Sequence, residues 1–397
     1  MLLANNWYVV GASDAFGFSP SPVRALGHEL VLFRRRSDAR LVALSDRCPH
    51  RMAKLSGGCV DGDDLRCPYH HWAFGADGAC ADIPSAPRGA RIPPRARVDS
   101  YPVEERYGWV WLFLGDLAVD QRPPIPLLPA YDEPGWRAVR GHYTWRAHYT
   151  RVVENAVDIA HTPFLHARSF GNPNETVMPE HEVIEDAWSC AIDVTLSAPE
   201  PKGLTRLLLP AGTNRVRLGV WPPAVNWLDA TFPNGWRMVL LLANLPVDET
   251  TTISYWLQLR NFLLSPITDP VARALSRQIL DEDRATVEAQ GASPVPLSVA
   301  DELSTRADAL SLAYRRRLAR LAGDVIDTAA AARWSQAGRH SVIPSPGRRG
   351  APQAGAFVVP AVPIGAPPAD GAGAGHPDRA GDAVPAGGEQ ADPPQCT

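Results

Sequence analysis

"CPHRMAKLSGGCVDGDDLRCPYHH", residues 48–71, holds three of the chain's six cysteines and three of its eleven histidines. Cys48 and His50 are separated by one residue, and Cys67 and His70 by two. Each pair fits the tip of a β-hairpin loop. Two such loops facing each other make a pocket of two thiolates and two imidazoles. A Cys2His2 set can hold a tetrahedral zinc, or a [2Fe–2S] cluster with both Cys on one iron and both His on the other. The arrangement favours the cluster. Zinc fingers pair Cys with Cys and His with His, whereas here each loop supplies one of each. Two imidazoles in place of two thiolates raise the potential to about −150 to +300 mV, against about −400 mV for plant-type ferredoxins.

Around this stretch, 397 residues with 45% apolar content can build two domains with sizeable cores. A net charge of −4 without a basic stripe argues against nucleic acid as a partner. No apolar run approaches the roughly 20 residues of a membrane span, and "MLLANNWYVVG" lacks the charged and apolar regions of a signal peptide. The expectation is a cytoplasmic chain without a membrane. In a reducing compartment, clustered Cys and His point to metal rather than disulfides. Cys59, Cys80, Cys190 and Cys396 fit no ligand spacing and read as ordinary thiols.

The predicted fold class is α+β. Residues 1–120 read as all-β, with "WYVVGA", "LVLFRR", "RLVALSD" and "YGWVWLFLG" as short strands punctuated by Gly, Pro and Asp. Residues 121–138 form a Pro-rich link. Residues 139–327 mix helices with long strands such as "WRMVLLLANLPV" and the partly alternating "TTISYWLQLRNF". A helix is expected from an Asp269 N-cap through Pro270 to an exit at Gly291, and another over about 303–321. Residues 335–397, rich in Pro, Gly and Ala, read as a disordered tail, and the "GAGAG" at 371–375 lacks the flanking strand and helix of a nucleotide site.

"ENAVDIAHTPFLH", residues 154–166, carries a second constellation. On a regular helix, His161 and His166 would lie about 140° apart. Pro163 breaks that helix by removing a donor and clashing with the Ile159 carbonyl, so the chain can turn His166 back toward His161. Asn155, Asp158 and His161 recur at three-residue steps, which lets Asp158 accept the second ring N–H of His161 and fix its tautomer. A mononuclear iron needs a carboxylate as well. In "SRQILDEDRATVEAQG", residues 276–291, Asp283 falls on a stripe with Leu275, Ile279 and Val287, where a carboxylate must be paired or metal-bound. Asp281 and Glu282 fall on the wetter side and read as surface charges.

Both constellations resemble one family. "CPHR…CPYHHW" is similar to the Rieske motif of aromatic ring-hydroxylating oxygenases, with Arg51 and Trp72 as common neighbours and His71 where the family often has Gly. Asn155-x-x-Asp158-x-x-His161-x4-His166 followed by "EDRATVEAQ" resembles the stand-alone catalytic alpha subunits of Rieske non-heme iron oxygenases, the branch of vanillate demethylase-like and pheophorbide a oxygenase-like enzymes. The likeness runs from "NNWYVVG" to the helix ending near Gly291, and more weakly to about Asp324.

The resemblance implies an N-terminal Rieske [2Fe–2S] domain ligated by Cys48, His50, Cys67 and His70. It implies a helix-grip catalytic domain, an antiparallel sheet around a long helix, with Fe(II) on His161, His166 and Asp283. It further implies a head-to-tail homotrimer in which Asp158 links His161 to a cluster histidine of the adjacent chain, with Asn155 beside it. A separate reductase, with or without a ferredoxin, supplies electrons, because no flavin or nicotinamide motif is present. The implied reaction is hydroxylation or oxidative demethylation of an apolar or aromatic small molecule with O2. N-oxidation or cyclisation in a natural-product pathway, an electron carrier with an inactive second domain, and a zinc-stabilised binding protein are the alternatives. Phe164, Leu165, Trp221 and Trp236 are candidate pocket walls.

Overall fold

The computed structural model describes residues 1–197, 212–298, 301–351 and 355–365. The chain divides into two compact units. One comprises Ala12–Arg24, His28–Arg122 and the chain from Ile326 onward; the other comprises Met1–Gly11, Ala25–Gly27 and Pro123–Val325. The boundary at residues 122 and 123 falls inside the Pro-rich link. Among the described residues no helix is long and apolar enough to cross a membrane.

The cluster-motif unit is built from short antiparallel strands. After β1 (Asn6–Ala12), which belongs to the other unit up to Gly11, come β2 (Ser21–Ala25), β3 (His28–Arg34) and β4 (Leu41–Ser45). Then come β5 (Cys59–Asp61), β6 (Asp64–Arg66), β7 (Ala73–Phe74), β8 (Cys80–Asp82) and β9 (Ser100–Tyr101). The hairpin β10 (Val103–Arg106) and β11 (Trp109–Leu114) completes the set. β5-β6-β7-β8 form one sheet and β2-β3-β4-β9 another. Their inward side chains, among them Val31, Phe33, Leu44, Leu65, Phe74 and Val98, form one core that also contains Cys48 and Cys67. The motif cysteines are therefore fixed by a hydrophobic core rather than hung on a loose loop.

The second unit carries a seven-stranded antiparallel sheet in the order β12-β18-β17-β16-β15-β14-β13. These strands are β12 (Arg137–Trp145), β13 (Val183–Glu185), β14 (Cys190–Ser197), β15 (Thr213–Trp221), β16 (Val225–Thr231), β17 (Arg237–Pro246) and β18 (Thr252–Arg260). The helices are α1 (Tyr149–Val157), α2 (Thr162–Leu165), α3 (Asp269–Ala289) and α4 (Ala309–Leu321), followed by α5 (Thr328–Gln336) and α6 (Pro346–Arg349), which lie in the other unit. α3 packs against β12, burying Leu280 and Val287 with Val139, Tyr143, Trp145 and Trp256. Gly141, opposite Trp256 on the neighbouring strand, permits this: a Cβ there would lie 2.3 Å from the Trp256 ring. β18 alternates only in its first half, since residues 256–260 are buried without interruption. α1 is pinned to α4 by the buried Arg315, which donates to Glu154 at 2.6 and 2.8 Å.

Several expectations are corrected. α3 starts at Asp269 itself, with Thr268 as the capping position and Pro270 in the first turn. Asp269 instead accepts from Arg137 at 2.6 Å and from Arg260 at 3.0 Å. Its exit falls where the sequence places it, with Gly291 at a φ of +77°. Leu275 is 46% exposed and leaves the expected stripe. A four-residue step overshoots a helical turn by about 40°, so three steps carry Leu275 about 120° off the face of Val287. The buried face is Leu280, Asp283 and Val287.

The tail is the largest departure. Residues 335–351 and 355–365 were expected to be disordered, yet much of this stretch is packed into the cluster-motif unit. Val342, Ile343, Phe357, Val359 and Val362 are buried, Tyr101 donates to the Ile343 carbonyl at 2.7 Å, and Val342 bridges to Ala361. Arg348 caps the buried Asp99 with bonds of 2.6 and 2.7 Å. A sparse set of β-branched and aromatic residues in a Pro-rich background suffices because the first unit offers a ready-made apolar face and a buried carboxylate. Residues 366–397, with the "GAGAG" stretch and Cys396, lie outside the described residues. Cys80 and Cys190 are buried free thiols.

Candidate metal centres

Residues 48–53 and 67–72 form two loops with the same backbone construction. In the first, Cys48 N donates to the Ala53 carbonyl and Met52 N to the Cys48 carbonyl, both at 2.9 Å. In the second, Cys67 N donates to the Trp72 carbonyl at 2.9 Å and His71 N to the Cys67 carbonyl at 3.0 Å. Each loop wraps its own sulfur. The Cys48 thiol faces the amides of His50 and Arg51, and the Cys67 thiol those of Tyr69 and His70. The neighbouring Cys48 thiol, helped by the two amides, pushes the Cys67 thiol below the ordinary thiol range, while Cys67 and burial push Cys48 above it. Two buried free thiols, one in each loop, can become paired thiolates around a cation.

The imidazoles of His50 and His70 stand with ring centroids 4.5 Å apart, and Trp72 stacks on His50 at 4.5 Å with 5° between planes. The Nδ1 atoms of both histidines are buried without a hydrogen-bond partner. Burial, together with the neighbouring His70 and Arg51, lowers the pKa of His50, which favours the neutral form that can ligate a metal. Buried ring nitrogens are almost always satisfied. Two orphaned ring nitrogens on loops that also carry two buried free thiols therefore fit a group bound by two sulfurs and two nitrogens. His71 is not one of them: it takes a left-handed conformation at the loop exit, with a φ of +56°.

In the second unit, α1 ends at Val157, six residues before Pro163, near which the break is predicted. Asp158 is extended and its Oδ1 accepts from Ala160 N at 2.7 Å, so the carboxylate terminates the helix through a local turn. Pro163 instead starts the four-residue α2, where its missing N–H costs nothing. His161 and His166 flank this short turn. The Gly171 amide closes it by donating to the His166 carbonyl at 2.8 Å, and a Cβ on Gly171 would meet the Thr162 carbonyl at 2.1 Å.

The result is a compact triangle. His161 Nε2 lies 3.2 Å from His166 Nε2 and 3.5 Å from Asp283 Oδ1, and His166 Nε2 lies 3.2 Å from the same oxygen. Asp283 Oδ1 is buried without a hydrogen-bond partner. Ligands about 2.1 Å from a metal and at right angles to each other stand about 3.0 Å apart, so the triangle has the size of one face of a coordination octahedron. His161, His166 and Asp283 form the one such group of three found among the described residues.

Behind each imidazole stands a second carboxylate. Asp158 Oδ2 is 3.4 Å from His161 Nδ1, and Glu282 Oε2 is 2.9 Å from His166 Nδ1. Glu282 corrects its reading as a surface charge: its side chain is only 13% exposed. It also accepts from Ser169 Oγ at 2.7 Å and Gln278 Nε2 at 3.0 Å. Burial alone would raise its pKa; the bonds from Ser169, His166 and Gln278 outweigh that and hold it below the ordinary range. Burial likewise acts to lower the pKa of His166, but Asp283 and Glu282 raise it on balance. Asp281 is about half-exposed and accepts from Tyr143 at 2.6 Å.

Phe170, absent from the sequence expectation, stacks on His166 at 4.6 Å. Asn155 is half-buried on α1. Of the expected pocket walls, Phe164 is 65% exposed, Leu165 is half-buried, Trp221 packs on Trp227, and Trp236 stacks on Phe262. No signal in the sequence distinguishes Glu282 from Asp281, because the difference depends on which side the loop after His166 covers.

Comparison with known proteins agrees with this geometry. The family described as Rieske [2Fe-2S] domain matches residues 6–102, and that described as Vanillate O-demethylase oxygenase C-terminal domain matches residues 145–324. Methylxanthine N1-demethylase NdmA of Pseudomonas putida is 33% identical over 308 residues, 76% of this chain and 82% of that protein. The oxygenase component of dicamba O-demethylase from Stenotrophomonas maltophilia is 30% identical over 76% of this chain and 94% of that protein. The solved structure of Pseudomonas putida CBB5 NdmA with caffeine superposes with a TM-score of 0.70 at 29% identity, covering 80% of this chain and 90% of that one. Oxygenase components of this kind act on small molecules with O2, carry a Rieske cluster and a mononuclear iron, and need separate reductase partners. The chain belongs to the Rieske non-heme iron oxygenases, as an oxygenase component with an all-β Rieske domain and an antiparallel-sheet catalytic domain.

Proposed function

We propose that this chain oxidatively demethylates, or hydroxylates, an apolar or aromatic small molecule. Its Rieske cluster is held by Cys48, His50, Cys67 and His70, and its Fe(II) by His161, His166 and Asp283. The observation that carries the proposal is the triangle of 3.2–3.5 Å edges formed by His161, His166 and Asp283, with the Asp283 oxygen otherwise unpartnered. An inactive second domain would have no reason to keep two imidazole nitrogens and a buried carboxylate oxygen converging on one point, where each offers a ligand atom to a cation. The naming of relatives as N- and O-demethylases favours methyl groups as the target.

When loaded, the two metal sites supply stored electrons and O2 activation. The chain's own groups do the rest. Asp158 holds the Nδ1–H of His161, leaving its Nε2 lone pair free. Phe170 covers the face of His166 and limits water beside it. In the proposed head-to-tail homotrimer, Asp158, with 32% of its side chain exposed, also reaches a cluster histidine of the neighbouring chain, and Asn155 lines the same helix end.

Attack on a methyl group consumes O2, two electrons and two protons. It leaves water and a hydroxymethyl group that collapses to formaldehyde. The test supplies reduced ferredoxin to the purified protein with N- and O-methylated aromatics and assays formaldehyde and oxidised products. A substrate-dependent product is expected, abolished in Asp283→Ala while the cluster's visible spectrum persists. Electron transfer through the chain with no oxygenated product from any substrate would favour the electron-carrier reading.

A further inference from the structure

His166 is gripped on both ring nitrogens by consecutive residues of one helix. Its Nε2 lies 3.2 Å from Asp283 Oδ1 and its Nδ1 2.9 Å from Glu282 Oε2. The same Glu282 oxygen accepts from Ser169 Oγ at 2.7 Å, three residues past His166 in the chain. The other accepts from Gln278 Nε2, one turn back on α3, at 3.0 Å. Three donors thus fix an otherwise flexible glutamate.

We propose that Glu282 is the positioning residue of the iron site: it holds the His166 Nδ1–H, fixes the tautomer that leaves Nε2 bare, and ties the ring's orientation to the helix that presents Asp283. The assignment rests on the reading of His161, His166 and Asp283 as a metal triad. It goes beyond that reading by naming what sets the triad's affinity. A carboxylate accepting from the distal nitrogen of a ligating imidazole raises the ligand's basicity and orders the ring before the metal arrives. His161 has the weaker version of this support, because the Asp158 oxygen is 3.4 Å from its Nδ1 and that carboxylate also serves the Ala160 amide. Glu282 is thus the stronger of the two outer contacts and sits on the same rigid helix as the third ligand.

The alternative is that Glu282 only anchors the 166–171 loop through Ser169. Three variants separate the roles. Glu282→Ala removes both contacts. Glu282→Gln keeps an oxygen facing His166 and Ser169, while a flip of Gln278 satisfies the new amide. Ser169→Ala removes the loop anchor and leaves the imidazole contact. The cluster-loaded full chain, freed of mononuclear iron, is dialysed to equilibrium against graded cobalt(II), with bound metal counted by mass spectrometry and the high-spin cobalt signal read by electron paramagnetic resonance.

Glu282→Ala is expected to weaken cobalt binding about 10- to 100-fold and to change the cobalt signal, Glu282→Gln to recover most of the affinity, and Ser169→Ala to lose less and keep the signal. Wild-type affinity in Glu282→Ala overturns the proposal. So does a loss in Ser169→Ala as large as in Glu282→Ala with no rescue by Gln. A wild-type chain that takes up no cobalt at this site overturns the triad itself, a different result from either.

Discussion

Met52 and His71 adopt the same left-handed backbone conformation, with φ of +58° and +56°, each four residues after a motif cysteine. Each amide donates to the carbonyl of that cysteine, so the two ligand loops are conformational copies. At this loop exit His71 supplies the left-handed turn, while the Nδ1 of His70 is one of the two buried ring nitrogens without a partner.

His71→Gly should therefore keep the cluster's visible absorption. It should leave stability within about 1 kcal/mol, since glycine enters this conformation freely but loses more entropy on folding. His70→Ala should lose the absorption. Loss of colour in His71→Gly would mean that the imidazole of 71 is a ligand.

Asp158→Asn keeps an oxygen for the Ala160 amide but turns the other atom into a donor facing His161 Nδ1. Both metals should remain, with turnover down by roughly tenfold or more, as for other lost outer contacts. Parallel measurement of iron content and O2 uptake checks this, and near-normal turnover removes the proposed link between metal sites.

Arg348→Ala should destabilise the Rieske unit by about 3 kcal/mol, because it leaves Asp99, 1% exposed, without its opposite charge and with only the Ser345 amide and hydroxyl as donors. Thermal unfolding followed through the cluster's colour reads this directly. An unchanged midpoint would mean that residues 338–351 and 355–365 are peripheral to that unit.

His28 gives the Rieske unit an acid-sensitive term. It is buried, donates through Nδ1 to the Ser341 carbonyl at 3.2 Å, and is held below its ordinary value near 6.5 chiefly by burial, with the bond to Ser341 offsetting part. Above that value the ring is neutral whether folded or unfolded and contributes no slope. Below it the unfolded chain takes up a proton that the folded chain resists, so stability falls as pH drops, by at most about 1.4 kcal/mol per pH unit. His28→Gln retains a donor for Ser341 and should flatten the midpoint-versus-pH curve below 6.5 relative to wild type. Parallel curves would show that His28 protonates without cost.

Much of the candidate site was legible because the spacing of possible ligands is local. Cys48, His50, Cys67 and His70 sit in loops closed within five residues, and His161 and His166 flank one short turn. Asp283 was found because a carboxylate among apolar neighbours on a helix demands a partner. The neighbouring Glu282 was misread for the same reason. The periodicity of α3 gives angles around its axis but not what covers each side, and Ser169 and Phe170 belong to a loop more than a hundred residues earlier. The helix break was placed at the strongest breaker, Pro163. The chain used Asp158, whose side-chain cap onto Ala160 competes with the helix sooner.

The sequence alone determined which atoms can hold metal and in which two domains, because residue type and short spacing set the donor set. Tertiary structure decided what stands behind those donors. It turned Glu282 from solvent to His166, folded residues of the Pro-rich tail onto Asp99 and Tyr101, and brought Asp283 across more than a hundred residues to its two imidazoles. Such contacts depend on which surfaces meet when the core closes, and no local pattern records that.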